Sequence, residues 1–212
     1  MSAPSLILEG RRLDELKIYD VINDYFFDYR KIIKDKTYTE DEIISILRTY
    51  SYITLTGRYK ESGNKISIFI IEQESRFIQG VNEITKFIAT IDITGSIYEV
   101  IFIIPNIIME SKKNIVASLR ELNKVVNTVI IAPYRTFIIP VPLHAAVPKH
   151  EIVSPEQFLY EAGGEHLHAP NMKYILSNDP PVVWLGAKTG DIIKIYGDST
   201  TVGKFIGYRI VR

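Results

Sequence analysis

Cysteine is absent from all 212 residues. That excludes disulfides, thiolate nucleophiles and every zinc site built on sulfur, and it assigns no compartment, because neither reducing nor oxidising surroundings require cysteine. Net charge is absent as well: 25 lysines and arginines balance 25 aspartates and glutamates. A protein that grips nucleic acid unaided carries excess positive charge, since phosphate neutralisation supplies most of the affinity. Any meeting with DNA is therefore expected inside a larger assembly. Long hydrophobic runs are missing too. The longest nearly uncharged stretch, 128–147, is broken by Arg135 and by Pro133, Pro140 and Pro142. A spanning helix needs ~20 apolar residues with their backbone satisfied internally, so no membrane segment is expected. The apolar patch at Met1–Leu8 is followed, not preceded, by Arg11 and Arg12, the wrong order for a secretory signal.

Catalytic signatures are equally scarce. There is no Gly-x-Ser-x-Gly, so a serine hydrolase has no nucleophile elbow. A metal-dependent nuclease needs an acidic residue and then Glu-x-Lys on a strand, two carboxylates holding Mg²⁺ and a lysine polarising the phosphate. Asp92 and Glu99 sit near a candidate strand, but Val100 and Ile101 follow Glu99, with no lysine. The run Gly186-Ala187-Lys188-Thr189-Gly190 superficially resembles a phosphate loop, yet Ala187 separates glycine from lysine, Pro181 stands where the upstream glycine belongs, and a strand pattern follows. It reads as a glycine turn with positive φ. The histidines, His144, His150, His166 and His168, lack the spacing of a metal site. No cofactor, metal or small-molecule substrate is expected.

What is present is a globular composition, 46% hydrophobic and 24% charged, in a length suited to one or two domains. Apolar residues recur at helical spacing over 14–33: Ile18, Val21, Ile22, Tyr25, Phe26, Tyr29, Ile32 and Ile33. Thr39 and Glu42 form a capping box for a second helix running to about Arg48, with Ile43, Ile44 and Leu47 inward. Lys65–Ile71 and Ile97–Ile104 are β-branched, near-continuous apolar runs, as expected of strands covered on both faces. A helix capped by Ser111 is expected to reach Lys124, followed by strands at Asn127–Ala132 and Thr136–Ile139. The predicted architecture of residues 1–140 is therefore α/β, buried strands flanked by helices. Arg30, Lys31, Lys34 and Lys36 cluster where a helix C-terminus favours cations. Lys112 and Lys113 fall in a predicted first helical turn, where positive charge is mildly unfavourable; a solvated face and a phosphate contact are both open readings.

Prolines at 140–148 mark a domain boundary. Ser154-Pro155-Glu156-Gln157 is a dense helix start, and that helix ends at Gly163-Gly164. A short helix is predicted around 170–177, stopping before Asp179-Pro180. Asp191–Tyr196, a turn at Gly197–Gly203, and Lys204–Val211 complete a closing β-hairpin. Residues 141–212 thus read as a small α+β module.

The order Val147-Pro148-Lys149-His150, Ser154 and Glu156, Asn178-Asp179-Pro180, Gly186 to Ile195, and Tyr208-Arg209-Ile210-Val211 resembles the fifth subunit shared by eukaryotic nuclear RNA polymerases. It is equally similar to the corresponding small subunit of archaeal RNA polymerase. Order and spacing agree over about 65 residues. Residues 111–150 resemble the junction of the eukaryotic subunit, and the preceding domain resembles the eukaryotic arrangement, which the archaeal subunit lacks. The turn Tyr196-Gly197-Asp198-Ser199-Thr200-Thr201-Val202-Gly203 departs from the family's Ser-Glu-Thr-Ala-Gly turn and its preceding arginine. The stretch Pro180–Gly186 is more similar to versions carried by nucleocytoplasmic large DNA viruses, and the Ile-, Asn-, Lys- and Tyr-rich usage suits an AT-rich genome.

The resemblance implies a non-catalytic subunit of a multisubunit DNA-directed RNA polymerase. It implies that a C-terminal assembly domain, 141–212, docks on the largest polymerase subunit. It implies that an N-terminal jaw-like domain, 1–140, forms part of the lower jaw near downstream duplex DNA and meets transcription factors. Such a chain works in the virion and host cytoplasm if viral, in the nucleus if cellular. Val147, Pro148, His150, Asp179, Pro180, Gly186, Gly190, Asp191, Tyr208 and Arg209 are the candidates for shaping the assembly module, although each residue type is as well suited to stabilising the module's own fold. Lys112 and Lys113 are the DNA-proximal candidates. Two rivals stand beside this reading: a nuclease-like or hydrolytic α/β enzyme, and a free-standing DNA-binding transcription regulator.

Overall fold

The computed structural model describes residues 14–50, 52–71, 81–84, 86, 98–111, 113–124, 126–162, 172–199, 201 and 203–212. The predicted sites at Asp92, Lys112, His166 and His168 lie outside them. Contacts divide the chain into two compact units, Met1–Ile139 and Pro140–Arg212.

In the first unit, helical residues 14–21 run into a π-helical turn, Ile22–Phe26, and a last turn, Phe27–Tyr29; together these are α1. The helix stops four residues earlier than its periodicity predicts. Lys31 takes φ of 53°, which reverses the chain, and the β-branched Ile32 and Ile33 enter a short strand, β1 (Ile32–Lys34). Helix α2 (Glu40–Thr49) starts at the expected capping box. Thr39 Oγ1 accepts from the Glu42 N–H at 3.3 Å, and Glu42 Oε2 accepts from the Thr39 N–H at 2.8 Å.

Strands β2 (Tyr52–Tyr59), β3 (Lys65–Ile71), β4 (Tyr98–Ile104) and β5 (Thr128–Pro133) complete a sheet of order β1-β2-β3-β4-β5. The first three strands are antiparallel neighbours, and β3, β4 and β5 run parallel. As the continuous apolar runs predict, β3 and β4 are buried on both faces. On one face Phe69, Val100, Phe102 and Ile104 pack with Ile108, Val116, Leu119 and Leu122, from helices α3 (Asn106–Ser111) and α4 (Lys113–Arg120) and the 3₁₀ turn Glu121–Lys124.

Two expectations fail here. Helix does not begin at Ser111 but already at Asn106, directly after Pro105, whose carbonyl accepts from the N–H groups of Ile108 and Met109. No strand forms at Thr136–Ile139: Tyr134–Thr136 is a 3₁₀ turn, and Phe137 is buried against Phe26 with ring centroids 5.3 Å apart.

The second unit holds β6 (Lys149–Val153), β7 (Tyr174–Ile175), β8 (Ile192–Ser199) and β9 (Gly203–Val211), in the order β6-β8-β9-β7. Of these pairings β7–β9 is parallel and the others are antiparallel. Helix α5 (Pro155–Ala162) begins as predicted, with Ser154 Oγ accepting from the Gln157 N–H at 3.1 Å. Its Phe158 packs with Val153 and Ile192 on one face of the sheet. The helix predicted around 170–177 is absent from its described part, where Tyr174 and Ile175 pair with β9. Helix α6 (Pro180–Leu185) lies later instead, with proline in its first turn, because the fixed φ of proline suits a helix start as well as a stop. It covers the other sheet face through Val182, against Ile175, Ile193 and Val211. The hairpin turn is tighter than expected, since β8 continues to Ser199.

Candidate functional site

On the face that α6 covers, side chains alternate outward along β8 and β9. At one end Ile193 is sealed beneath α6. Beyond it the same face carries Ile195 and Gly197 on β8, with Gly207 and Phe205 directly opposite on β9 and His150 opposite Ile195 on β6. Among the described residues α6 does not reach this half of the face, and only the Phe205 ring, over Gly197, lies across it. This half forms the floor of a groove of about 580 Å³, lined also by Val147, Pro148, Tyr174, Leu176, Asp179 and Arg209.

The floor is low at Gly207, where a Cβ would meet no atom within 4 Å. A Cβ on Gly197 would fall 2.1 Å from the Phe205 ring, so the far end of that ring occupies the space above the glycine, while 47% of Phe205 stays exposed. Leu176 and Tyr174 are also more than half exposed, at 52% and 55%. Apolar surface of this kind, rimmed by polar groups, is the physical signature of a contact site.

Three polar groups face the groove. His150 Nδ1–H donates to the Pro148 carbonyl at 2.6 Å. Burial holds the His150 pKa below its ordinary value, opposed by the Pro148 carbonyl and Asp179, while Arg209 pushes it down further. Arg209 donates to the Tyr174 carbonyl at 3.2 Å. Neither Arg209 nor Asp179 forms a salt bridge among the described residues.

Five of the ten candidates named from sequence therefore line the groove: Val147, Pro148, His150, Asp179 and Arg209. Pro180 opens α6 beside it. The remaining four serve elsewhere. Gly186 closes α6 with φ of 71°, and Gly190 takes φ of 97° in the following turn. Asp191 braces that turn by accepting from the Lys188 N–H at 2.7 Å. Tyr208, one residue from Arg209, faces the opposite side of the sheet, where its hydroxyl donates to Glu161 Oε2 at 2.5 Å. Glu161 also holds Lys194 at 2.7 Å, and these contacts draw its carboxyl down to about 2. Sequence reading passed over Ile195, Gly197, Phe205 and Gly207. The signal available was the pair of glycines within strand patterns, which marks close approach.

The rival chemistries find no support in the geometry. Glu99 is 8% exposed and bound on two sides. Arg30 reaches it with both guanidinium nitrogens, at 2.9 and 3.2 Å, and the Tyr59 hydroxyl donates to it at 2.6 Å. Burial drives the Tyr59 pKa upward. Such a saturated carboxylate cannot serve as an open metal ligand. The other cations near Arg30 are engaged too: Lys31 with Glu61, Lys34 with Asn23, and Lys36 with Glu42. Lys113 opens α4 and is exposed. Among the described residues no group of three or more His, Asp or Glu is placed to hold a metal, and no helix is long and apolar enough to cross a membrane.

Comparison with known proteins bears on this same segment. Residues 139–211 match the model of the RNA polymerase Rpb5 C-terminal domain. The archaeal RNA polymerase subunit Rpo5 of Methanosphaera stadtmanae is 39% identical over 69 residues, 32% of this chain and 90% of that protein. The chain belongs to the Rpb5 family of RNA polymerase subunits. Rpo5 of Nitrosopumilus maritimus is 40% identical over 71 residues and covered over 86% of its length. Similarity along nearly the whole chain is to a viral family member: an RPB5 homolog of African swine fever virus is 25% identical over 189 residues, 88% of this chain and 92% of the relative. This chain is accordingly a non-catalytic subunit of a DNA-directed RNA polymerase. It fits the viral version.

Proposed function

We propose that residues 140–212 are the assembly domain of this polymerase subunit and dock on the largest subunit through the groove floored by Ile195, Phe205 and Gly207. The observation that carries the reading is the bare half-face itself. A sheet face half sealed by α6 and half left open, inside the family-matched segment, supports a partner completing the layer. A partner side chain resting on Gly207 gains the desolvated, close-packed contact that dominates interface energy. Arg209 and Asp179 at the rim set its orientation. In the same reading residues 1–139 form the jaw-like part near downstream duplex DNA, with Lys113 on its exposed surface, and transcription factors are reached from there. Acting with a viral polymerase, the protein works in the virion and the host cytoplasm.

The test is to co-express the tagged full chain with its polymerase and measure the largest subunit recovered. Wild type recovers it stoichiometrically. Gly207→Leu fills the groove from a position whose Cβ meets no atom of the module, so it loses recovery by about tenfold or more while keeping its melting temperature. Normal recovery by Gly207→Leu sinks the groove; recovery of wild type alone sinks the assembly reading.

A further inference from the structure

A second surface lies in the N-terminal unit. Strands β2 and β3 place Arg58 directly opposite Lys65. Like charges directly opposite on a sheet repel, and the one carboxylate in the pocket beside them, Asp35, ion-pairs with neither. Neither side chain makes a hydrogen bond or ion pair among the described residues, in contrast to Arg30, Lys31, Lys34 and Lys36, each of which has an acceptor. The pair edges a pocket of about 310 Å³ that also includes Asp35, Thr56 and Tyr98. Across from Arg58 on β1 stands Ile33, an isoleucine 57% exposed. One row across the sheet thus reads Ile33, Arg58, Lys65, Tyr98.

We propose that this row is a docking site for an acidic, apolar-containing segment of another protein. Two cations without a salt bridge, against the single carboxylate of Asp35, leave an excess positive charge that calls for a further carboxylate, and the bare isoleucine beside them calls for an aliphatic or aromatic neighbour. One feature argues against nucleic acid: an exposed isoleucine has nothing to gain from a sugar–phosphate backbone. The site goes beyond the groove reading, since all its residues lie in the other unit.

The experiment has two arms on the full chain. In the first, amide shifts are followed while adding a peptide of alternating Glu and Leu, its Lys–Leu counterpart, or a short DNA duplex. The Glu–Leu peptide shifts Ile33, Arg58 and Lys65, and Arg58→Gln with Lys65→Gln weakens it ~3- to 10-fold. Shifts by DNA at these amides, equal shifts by both peptides, or none by the Glu–Leu peptide overturn the proposal. Both glutamines relieve repulsion, so the melting temperature holds or rises, and loss of folding is separable from loss of binding. In the second arm, benzoylphenylalanine replaces Ile33 in assembled polymerase. Crosslinks to an Asp- or Glu-bearing protein segment support the site; crosslinks to DNA, or none, overturn it.

Discussion

The two units solve the same problem, covering a twisted sheet, to different degrees of completion. In residues 1–139 the central strands β3 and β4 are buried on both faces, and the one charged group on β4, Glu99, is closed by Arg30 and Tyr59. In residues 140–212 the sheet has a covered half and a bare half on one face, with Arg209 and Asp179 at its rim. A buried polar group that is fully bonded fixes a fold, whereas an apolar face left open beside uncompensated charge waits for a second molecule. Polar groups in the first unit's interior are thus expected to matter for stability, and the groove of the second for binding.

Removing Glu99 breaks that contrast most severely. Glu99→Ala leaves the Arg30 guanidinium, 9% exposed, without its carboxylate. Stranding one partner of a buried pair costs about 3–5 kcal/mol. Urea denaturation followed by circular dichroism is expected to show a loss of that size, partly recovered when Arg30→Met removes the stranded charge as well. A loss under about 1 kcal/mol would mean that water reaches Arg30 and that the first unit is not sealed. By the same measurement Gly207→Leu in the groove changes stability by less than about 0.5 kcal/mol.

Within the second unit the comparison sharpens to covered half against open half. Gly186 closes α6, the element that seals the covered half, and its φ of 71° is one that a side chain resists. Gly186→Ala is expected to destabilise by about 1 kcal/mol. Trp184 is the only tryptophan in the chain and is fully buried in α6, so its fluorescence reports this unit directly. An unchanged tryptophan midpoint would show that the helix end relaxes away from the left-handed region.

Much of this arrangement was written in local chemistry. The Thr39–Glu42 capping box, the two fully buried strands and the positive φ of Gly186 and Gly190 all depend on residues close in sequence, and each was read from them. Strand β2 was not. Its inward residues, Ile53, Leu55 and Gly57, alternate with threonines and an arginine, a weak signal that becomes a strand only by pairing with β3. The end of α1 was misread because Ile32 and Ile33 continue the helical spacing while a backbone reversal at Lys31 redirects them. The site was legible in part. Val147, Pro148, His150, Asp179 and Arg209 came from motif order, but the floor did not, because an empty space above Gly207 is a property of three strands and a helix that stops short.

The smallest expected effect concerns His150, where the groove already costs something before any partner arrives. Its imidazole is partly buried, and burial lowers its pKa in the folded chain. The unfolded chain titrates near the ordinary value of ~6.5. As pH falls through that value the unfolded state takes up the proton first, so folding weakens; above it both states hold neutral histidine and nothing changes. The other titratable and charged groups at the groove are Asp179, which favours the proton, and Arg209, which opposes it. Urea midpoints read by Trp184 fluorescence at pH 7.5 and 5.5 are expected to differ more in wild type than in His150→Gln. The remaining histidines are common to both proteins and cancel from the comparison. Equal differences would mean that the open half of the face leaves His150 as wet as an unfolded chain does, and the distinction between a desolvated groove and ordinary surface would go with it.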